Sequence, residues 1–149
     1  MAGAPLRIRP ATAADADAVA GLAEGLAQSF TFSPASFDAH YPALLAAGHA
    51  CLLVAVTGAG DECVGYLLGF EHLTFYANGR VAWAEEVFVR DGLRGHGIGR
   101  ALVTGFERWA RERGCALVAL ATRRAAPFYH ALGYEDSATY LRKLLHERG

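Results

Sequence analysis

VFVRDGLRGHGIGRALV, residues 87–103, passes from one apolar run through four glycines into a second apolar run. Val87 to Val89 close a strand-like stretch, RVAWAEEVFV, that begins at Arg80. Beyond the glycines, Ile98, Leu102, Phe106 and Trp109 recur at helical spacing, while Arg100, Thr104, Glu107, Arg108, Arg111 and Glu112 hold the opposite face. Gly114 is the natural stop of that helix. A strand, a glycine loop and a helix in this order place unpaired backbone N–H groups at a positive helix end, in a space only glycine leaves open. Such a place holds anions. A lone glycine pair also occurs as a plain tight turn, so the spacing has to decide. The dinucleotide fingerprint GxGxxG is not met, because Leu102 stands where its last glycine would, and no GK[ST] of a nucleotide-triphosphate loop is present.

Working outward, ECVGYLLGFEHLTFY (62–76) and ACLLVAV (50–56) read as strands joined by TGAGD, and ANG (77–79) turns the chain into the strand before the glycines. Three successive strands therefore pair antiparallel. LRIRP (6–10) is a short first strand, and TAADADAVAGLAEGLAQ (12–28) a helix opened by Thr12 or an early Asp, with Val19, Leu22 and Leu26 as its buried stripe. SPASFDAHYPALLAAG (33–48) reads as a weaker helix broken by Pro42, preceded by an aromatic loop, FTF. After the glycine-led helix, CALVALA (115–121) is expected as a continuous buried strand, RRAAPFYHALG (123–133) as a short helix, and ATYLRKLL (138–145) as a last or edge strand. The order β‑α‑α‑β‑β‑β‑α‑β‑α‑β describes an α/β domain with a mixed sheet.

Composition narrows the class. With 149 residues, 53% of them apolar and 19% charged, the chain suits one globular domain with a single core, spanning residues 1–149. A net charge of −1 argues against nucleic acid as a partner, since that would call for an excess of Lys and Arg. Cys51, Cys63 and Cys115 show no CxxC spacing and lie in apolar stretches, as buried reduced thiols do. The first residues lack the apolar centre of a signal peptide, and no window approaches the roughly 20 apolar residues that span a bilayer. A cytoplasmic protein with no membrane partner is expected. His40, His49, His72, His130 and His146 show no metal-ligand spacing, and no metal is expected.

The RxxGxG at Arg94, Gly97 and Gly99 closely resembles the coenzyme A pyrophosphate loop of the GCN5-related N-acetyltransferase (GNAT) superfamily. The opening LRIRPATAADADAVAGL and the closing APFYHALGYE resemble that superfamily's first strand and helix and its last helix-to-strand motif. The resemblance thus covers nearly the whole chain. It implies a single GNAT-like α/β domain, its mixed and mostly antiparallel central sheet flanked by helices on both faces. It also implies acetyl-CoA as cosubstrate. The amides of Gly95, His96, Gly97, Ile98, Gly99 and Arg100 would hold the pyrophosphate, and Val87, Phe88 and Val89 would pair with the pantetheine arm as a further strand does. Arg94 and Arg100 would add positive charge; at His96 only the amide matters. Many relatives carry an asparagine near the start of the closing helix that contacts the cofactor, and Thr122 stands at that position here.

Acetyl transfer to an amine requires a neutral attacking nitrogen, hence a base. In a regular strand Glu85 shares a face with Val87 and Val89 while Glu86 points oppositely with Phe88, so only one looks into a given slot unless a bulge intervenes. Resemblance to the polyamine acetyltransferases implies Glu85 as the base and Glu86 as the residue that meets the charge of the substrate. It implies Tyr129, in FYHALGY, as the acid that protonates the departing thiolate. Phe30, Phe32, Phe37, Tyr41, Phe75 and Tyr76 fall in regions that line the acceptor side of the resembled fold, and serve equally as core. The expected acceptor is a small primary amine. A protein lysine or N-terminal amine, and a module that binds acyl-CoA without transferring anything, both stay open, and nothing excludes a homodimer.

Overall fold

The computed structural model describes residues 5–27 and 30–146 as a single α/β domain. Strand β1 (Arg7–Pro10) leads through a 3₁₀ turn (Ala13–Asp15) into α1 (Ala16–Leu26) and α2 (Pro34–Ala46). Strands β2 (Ala50–Thr57), β3 (Glu62–Thr74) and β4 (Gly79–Val89) follow, then α3 (Ile98–Glu112), β5 (Val118–Leu120) and α4 (Ala126–Ala131). Gln28, the expected end of the first helix, lies outside the described residues.

The sheet runs β1-β2-β3-β4-β5 in space, antiparallel except that β5 lies parallel to β4. The two expected turns close as their residues require: Gly58 and Asp61 take φ of 76° and 53°, and Asn78 takes 60°. Helix α3 buries Ile98, Leu102, Val103, Phe106 and Ala110 on one face of the sheet, against Leu53, Ala55, Leu67, Ala82 and Ala84. Helices α1 and α2 cover the other face, with Val19, Leu22 and Tyr41 against Val54, Val56, Cys63 and Tyr66. The entry to α1 is held by Arg9, whose guanidinium reaches both Asp15 carboxylate oxygens at 2.7 and 2.9 Å, while Thr12 N–H donates to Asp15 at 2.7 Å. That guanidinium holds the Asp15 carboxyl below the usual carboxylate range.

Three expectations need correction. Helix α2 runs unbroken through Pro42. Ser33 caps it by accepting from Ser36 N–H at 3.2 Å, Pro34 suits its first turn, and Phe37, Tyr41 and Leu45 pack on the sheet. The Tyr41 hydroxyl also donates to the Thr12 carbonyl at 2.7 Å, so tertiary packing outweighs the lost ladder bond. The second correction is β5, which is three residues long and half-buried rather than a continuous buried strand from Cys115 to Ala121. The third is the segment 138–145, which forms no strand and leaves Tyr140, Leu141 and Leu145 exposed, with Tyr140 stacked on Trp83 at 6.4 Å. Strand-like composition supplies a preference for extension but no ladder partner.

One glycine shows how closely α3 is seated. A Cβ at Gly69 would stand 2.4 Å from the Phe106 ring and 3.0 Å from the Trp83 carbonyl oxygen. Gly69→Ala should therefore cost about 1–3 kcal/mol by overpacking. Urea unfolding checks this, and an unchanged midpoint would mean that the ring moves aside freely.

Candidate active site

Strands β4 and β5 pair only from Ala82 to Ala84, opposite Val118 to Leu120. Beyond Ala84 they part. From Val87 to Val89, β4 is bonded to β3 on one side, and on the other its edge faces no strand among the described residues. At the fork lies a cleft of about 300 Å³, lined by Glu85, Glu86, Thr122, Arg123, Arg124 and Tyr129 among others.

The fork carries a β-bulge. Leu68 faces Glu86 across the β3–β4 ladder and Gly69 faces Ala84, so Glu85 is the extra residue with no partner. Its effect on side-chain direction is large. Ala82 and Ala84 face α3; after the inserted residue, Val87 and Val89 take that face, and Glu86 and Phe88 turn toward α1 and α2. Glu85 is exposed and Glu86 half-buried, and both residues line the same cleft. The expectation that only one of them looks into a given slot holds for a regular strand, and the bulge is the exception it allows. Glu86 is tied to β3, its Oε1 accepting from the Tyr66 hydroxyl at 2.7 Å.

Tyr129 enters the cleft from α4. Its ring is 9% exposed and packs edge-on against Phe128 and Tyr134, with centroids 4.9 and 5.8 Å away. Burial pushes the phenol up from its ordinary value, so the hydroxyl stays protonated at neutral pH. Thr122 lines the cleft and accepts from Ala125 N–H at 3.0 Å, which fixes the approach to α4 and leaves its hydroxyl proton to donate elsewhere.

The glycine run forms the loop expected of it. Gly92, Gly95 and Gly97 take φ of 85°, 83° and 82°, left-handed values that favour glycine. Gly97 is the N-cap of α3, and no amide from Gly95 to Arg100 has an acceptor among the described residues. Nothing lies within 4 Å of a Cβ built at Gly95 or Gly97, so space is open above those amides. Gly99 differs: a Cβ there would meet the Phe128 ring at 3.3 Å, so this glycine serves the packing of α4 on α3. The Ile98 side chain is buried, leaving only its amide toward the loop, and His96 and Arg100 are exposed. Arg94 lies 5.7 Å from the centroid of the Phe88 ring and 3.0 Å from Asp91, close to the strand edge and the loop alike.

The aromatic residues separate. Phe32, Phe37 and Tyr41 form a chain of ring contacts at 5.9 and 5.2 Å, with Tyr41 in the core. Phe75 is wholly exposed and Tyr76 three-quarters exposed on the β3–β4 turn, and Phe30 is half-exposed. None of the six lines the cleft beside the two glutamates. Sequence reasoning missed Arg123 and Arg124, which the closing motif placed one step from Thr122, and Tyr66, for which the sequence holds no signal without the strand register.

Comparison with known proteins agrees with this geometry. A family model described as the Acetyltransferase (GNAT) family matches residues 20–134. Thialysine N-epsilon-acetyltransferase of Bos taurus is 32% identical over 96 residues, covering 58% of this chain; the match spans about half, 55%, of that relative. A crystal structure described as a transcriptional regulator from Bacillus halodurans C-125 superposes with a TM-score of 0.83 at 26% identity, over 95% of this chain and all of that one. An aminoglycoside N-acetyltransferase solved with CoA shares the fold, with a TM-score of 0.82 at 21% identity over 95% of this chain and 97% of that one. With its strand fork, bulged acidic strand and glycine loop, and with a family model matching most of its length, the chain belongs to the GNAT family of acetyltransferases.

Proposed function

We propose that this chain transfers an acetyl group from acetyl-CoA to the primary amine of a small molecule, by direct attack in a ternary complex. One observation carries the reading. Glu85 and Glu86 of a single bulged strand and the buried Tyr129 line one cleft of about 300 Å³, and the same strand leads into a loop of unpartnered amides. Two relatives lend support by what their names say they acetylate: thialysine and an aminoglycoside, both small amines.

Acetyl-CoA supplies the activated acetyl group as a thioester. The amides from Gly95 to Arg100 suit its pyrophosphate, because they lie unpartnered at the N-terminus of a 15-residue helix, with open space at Gly95 and Gly97. Arg94 and Arg100 add charge nearby, the free edge from Val87 to Val89 offers backbone groups to the pantetheine amides, and Thr122 has a proton to donate. The acceptor enters as an ammonium with a pKa of about 10 and must lose a proton before it attacks. Glu85, exposed at the bulge, takes that proton directly or through a water. Glu86, held by Tyr66, meets the positive charge of the acceptor. As the carbon–nitrogen bond forms and the carbon–sulfur bond breaks, Tyr129 gives its proton to the sulfur, and the second proton that the nitrogen sheds on becoming an amide returns through water to the Tyr129 phenolate.

Thiol release with a panel of amines tests the function, using thialysine, an aminoglycoside, polyamines and a lysine-containing peptide. Turnover with a small amine and none with the peptide is expected, and the reverse would make the acceptor a protein. With the best amine, Glu85→Gln should lower kcat/KM about 10²-fold near pH ~7, and the loss should shrink near pH ~9.5, where solution deprotonates the amine unaided. A loss independent of pH would remove Glu85 from the role of base.

A further inference from the structure

Behind Glu86, outside the lining of the cleft, stands a phenol whose consequence for the choice of acceptor the amine reading leaves open. Tyr66 is 1% exposed, and its ring is enclosed by Val19, Leu22, Val54 and Val56 from α1 and β2. Packing of that kind locks a side chain in one rotamer. The hydroxyl is the ring's one polar atom, and it donates to Glu86 Oε1 at 2.7 Å. Opposite Tyr66 across the ladder stands Phe88, and opposite Glu86 stands Leu68, so Tyr66 and Glu86 are diagonal neighbours on one face of the sheet. That relation exists only because of the bulge. In a regular strand continuing from Ala82 and Ala84, residue 86 would point toward α3 instead. Burial, and the neighbouring carboxylate, push the Tyr66 phenol well above its ordinary value, so it is a donor at every working pH.

From this geometry we infer that Tyr66 is a positioning residue for acceptor specificity: it fixes Glu86 as an anchored anion at the cleft wall, while Glu85 on the bulge stays free to move a proton. The inference rests on the amine-acetylation reading above. A carboxylate held at one oxygen from a rigid core keeps its second oxygen at a defined point, which selects acceptors carrying a cation at the matching distance from the reacting nitrogen. Glu85 has no such tether among the described residues. One carboxylate recognises; the other reacts. A purely structural hydrogen bond would instead leave acceptor binding untouched.

The test is Tyr66→Phe, which keeps the ring and deletes the hydroxyl. With whichever amine of the panel gives the highest turnover, the acceptor KM should rise about tenfold. Meanwhile kcat at saturating amine and the KM for acetyl-CoA should stay within about twofold. In a Glu86→Ala background the same substitution should have no further effect on the acceptor KM, because the group it positions is gone. An unchanged KM, or an effect that persists undiminished in Glu86→Ala, overturns the inference. If wild-type protein binds acetyl-CoA but acetylates no amine, the amine reading falls by itself. Crystal structures of wild type and Tyr66→Phe then decide about Tyr66: a displaced Glu86 carboxylate upholds its positioning role, and an unmoved one removes it.

Discussion

Gly97→Glu should abolish acetyl-CoA binding while leaving the domain folded. Gly97 has φ of 82° and caps α3, and a Cβ built there meets nothing within 4 Å. A side chain at this position therefore does not clash with the protein; it projects into the space above the amides. The carboxylate brings a negative charge to the place where the helix dipole and the unpaired N–H groups from Gly95 to Arg100 favour a phosphate anion. Left-handed backbone costs a non-glycine residue about 1–2 kcal/mol, which lowers stability without unfolding a domain of ordinary stability. Gly97→Ala separates the two effects, since it carries the same strain and no charge. Calorimetry with acetyl-CoA should show a loss of at least about 100-fold for the glutamate and a smaller one for the alanine, with similar melting curves for both variants. Unchanged affinity in Gly97→Glu would exclude the loop as the pyrophosphate site.

The second large effect is expected at Tyr129. Phenylalanine preserves the edge-on contacts with Phe128 and Tyr134 and removes only the hydroxyl, so stability should hardly change. That hydroxyl has no hydrogen-bond partner among the described residues and lies at the cleft that holds Glu85 and Thr122. If it protonates the departing thiolate, kcat should fall by roughly 10²-fold or more, the range for a positioned general acid, and acetyl-CoA affinity should hold. Burial raises the phenol's pKa, which sets the sign of the pH dependence. The donor form is complete at neutral pH and persists further into alkali than an exposed tyrosine's would, so its deprotonation adds no downturn in rate below about pH 10. Wild-type kcat in Tyr129→Phe, measured where chemistry limits turnover, would return Tyr129 to the core and leave proton donation to water.

Much of this protein was readable from residues that are neighbours in the chain. The stripe Ile98, Leu102, Phe106 lies at the buried face of α3, Gly114 ends that helix with φ of 76°, and the turns at Gly58–Asp61 and Asn78–Gly79 close where glycine, Asn and Asp predict them. Each of these signals is local. Helical period, positive φ and an unpaired helix end are settled within a few consecutive residues, so the strand–loop–helix unit and its unpartnered amides follow from residues 87–103 alone. What needed the tertiary structure is everything that depends on a partner distant in sequence. Pro42 reads as a helix break until Phe37 and Tyr41 are packed. Residues 138–145 read as a strand, yet a strand also requires a ladder partner, and this segment pairs with none among the described residues. Above all, the faces on which Glu85 and Glu86 stand turn on one inserted residue opposite Leu68 and Gly69. Strand side chains alternate with a period of two, so a single-residue shift in register reverses every face beyond it, and register belongs to the pair of strands rather than to either sequence.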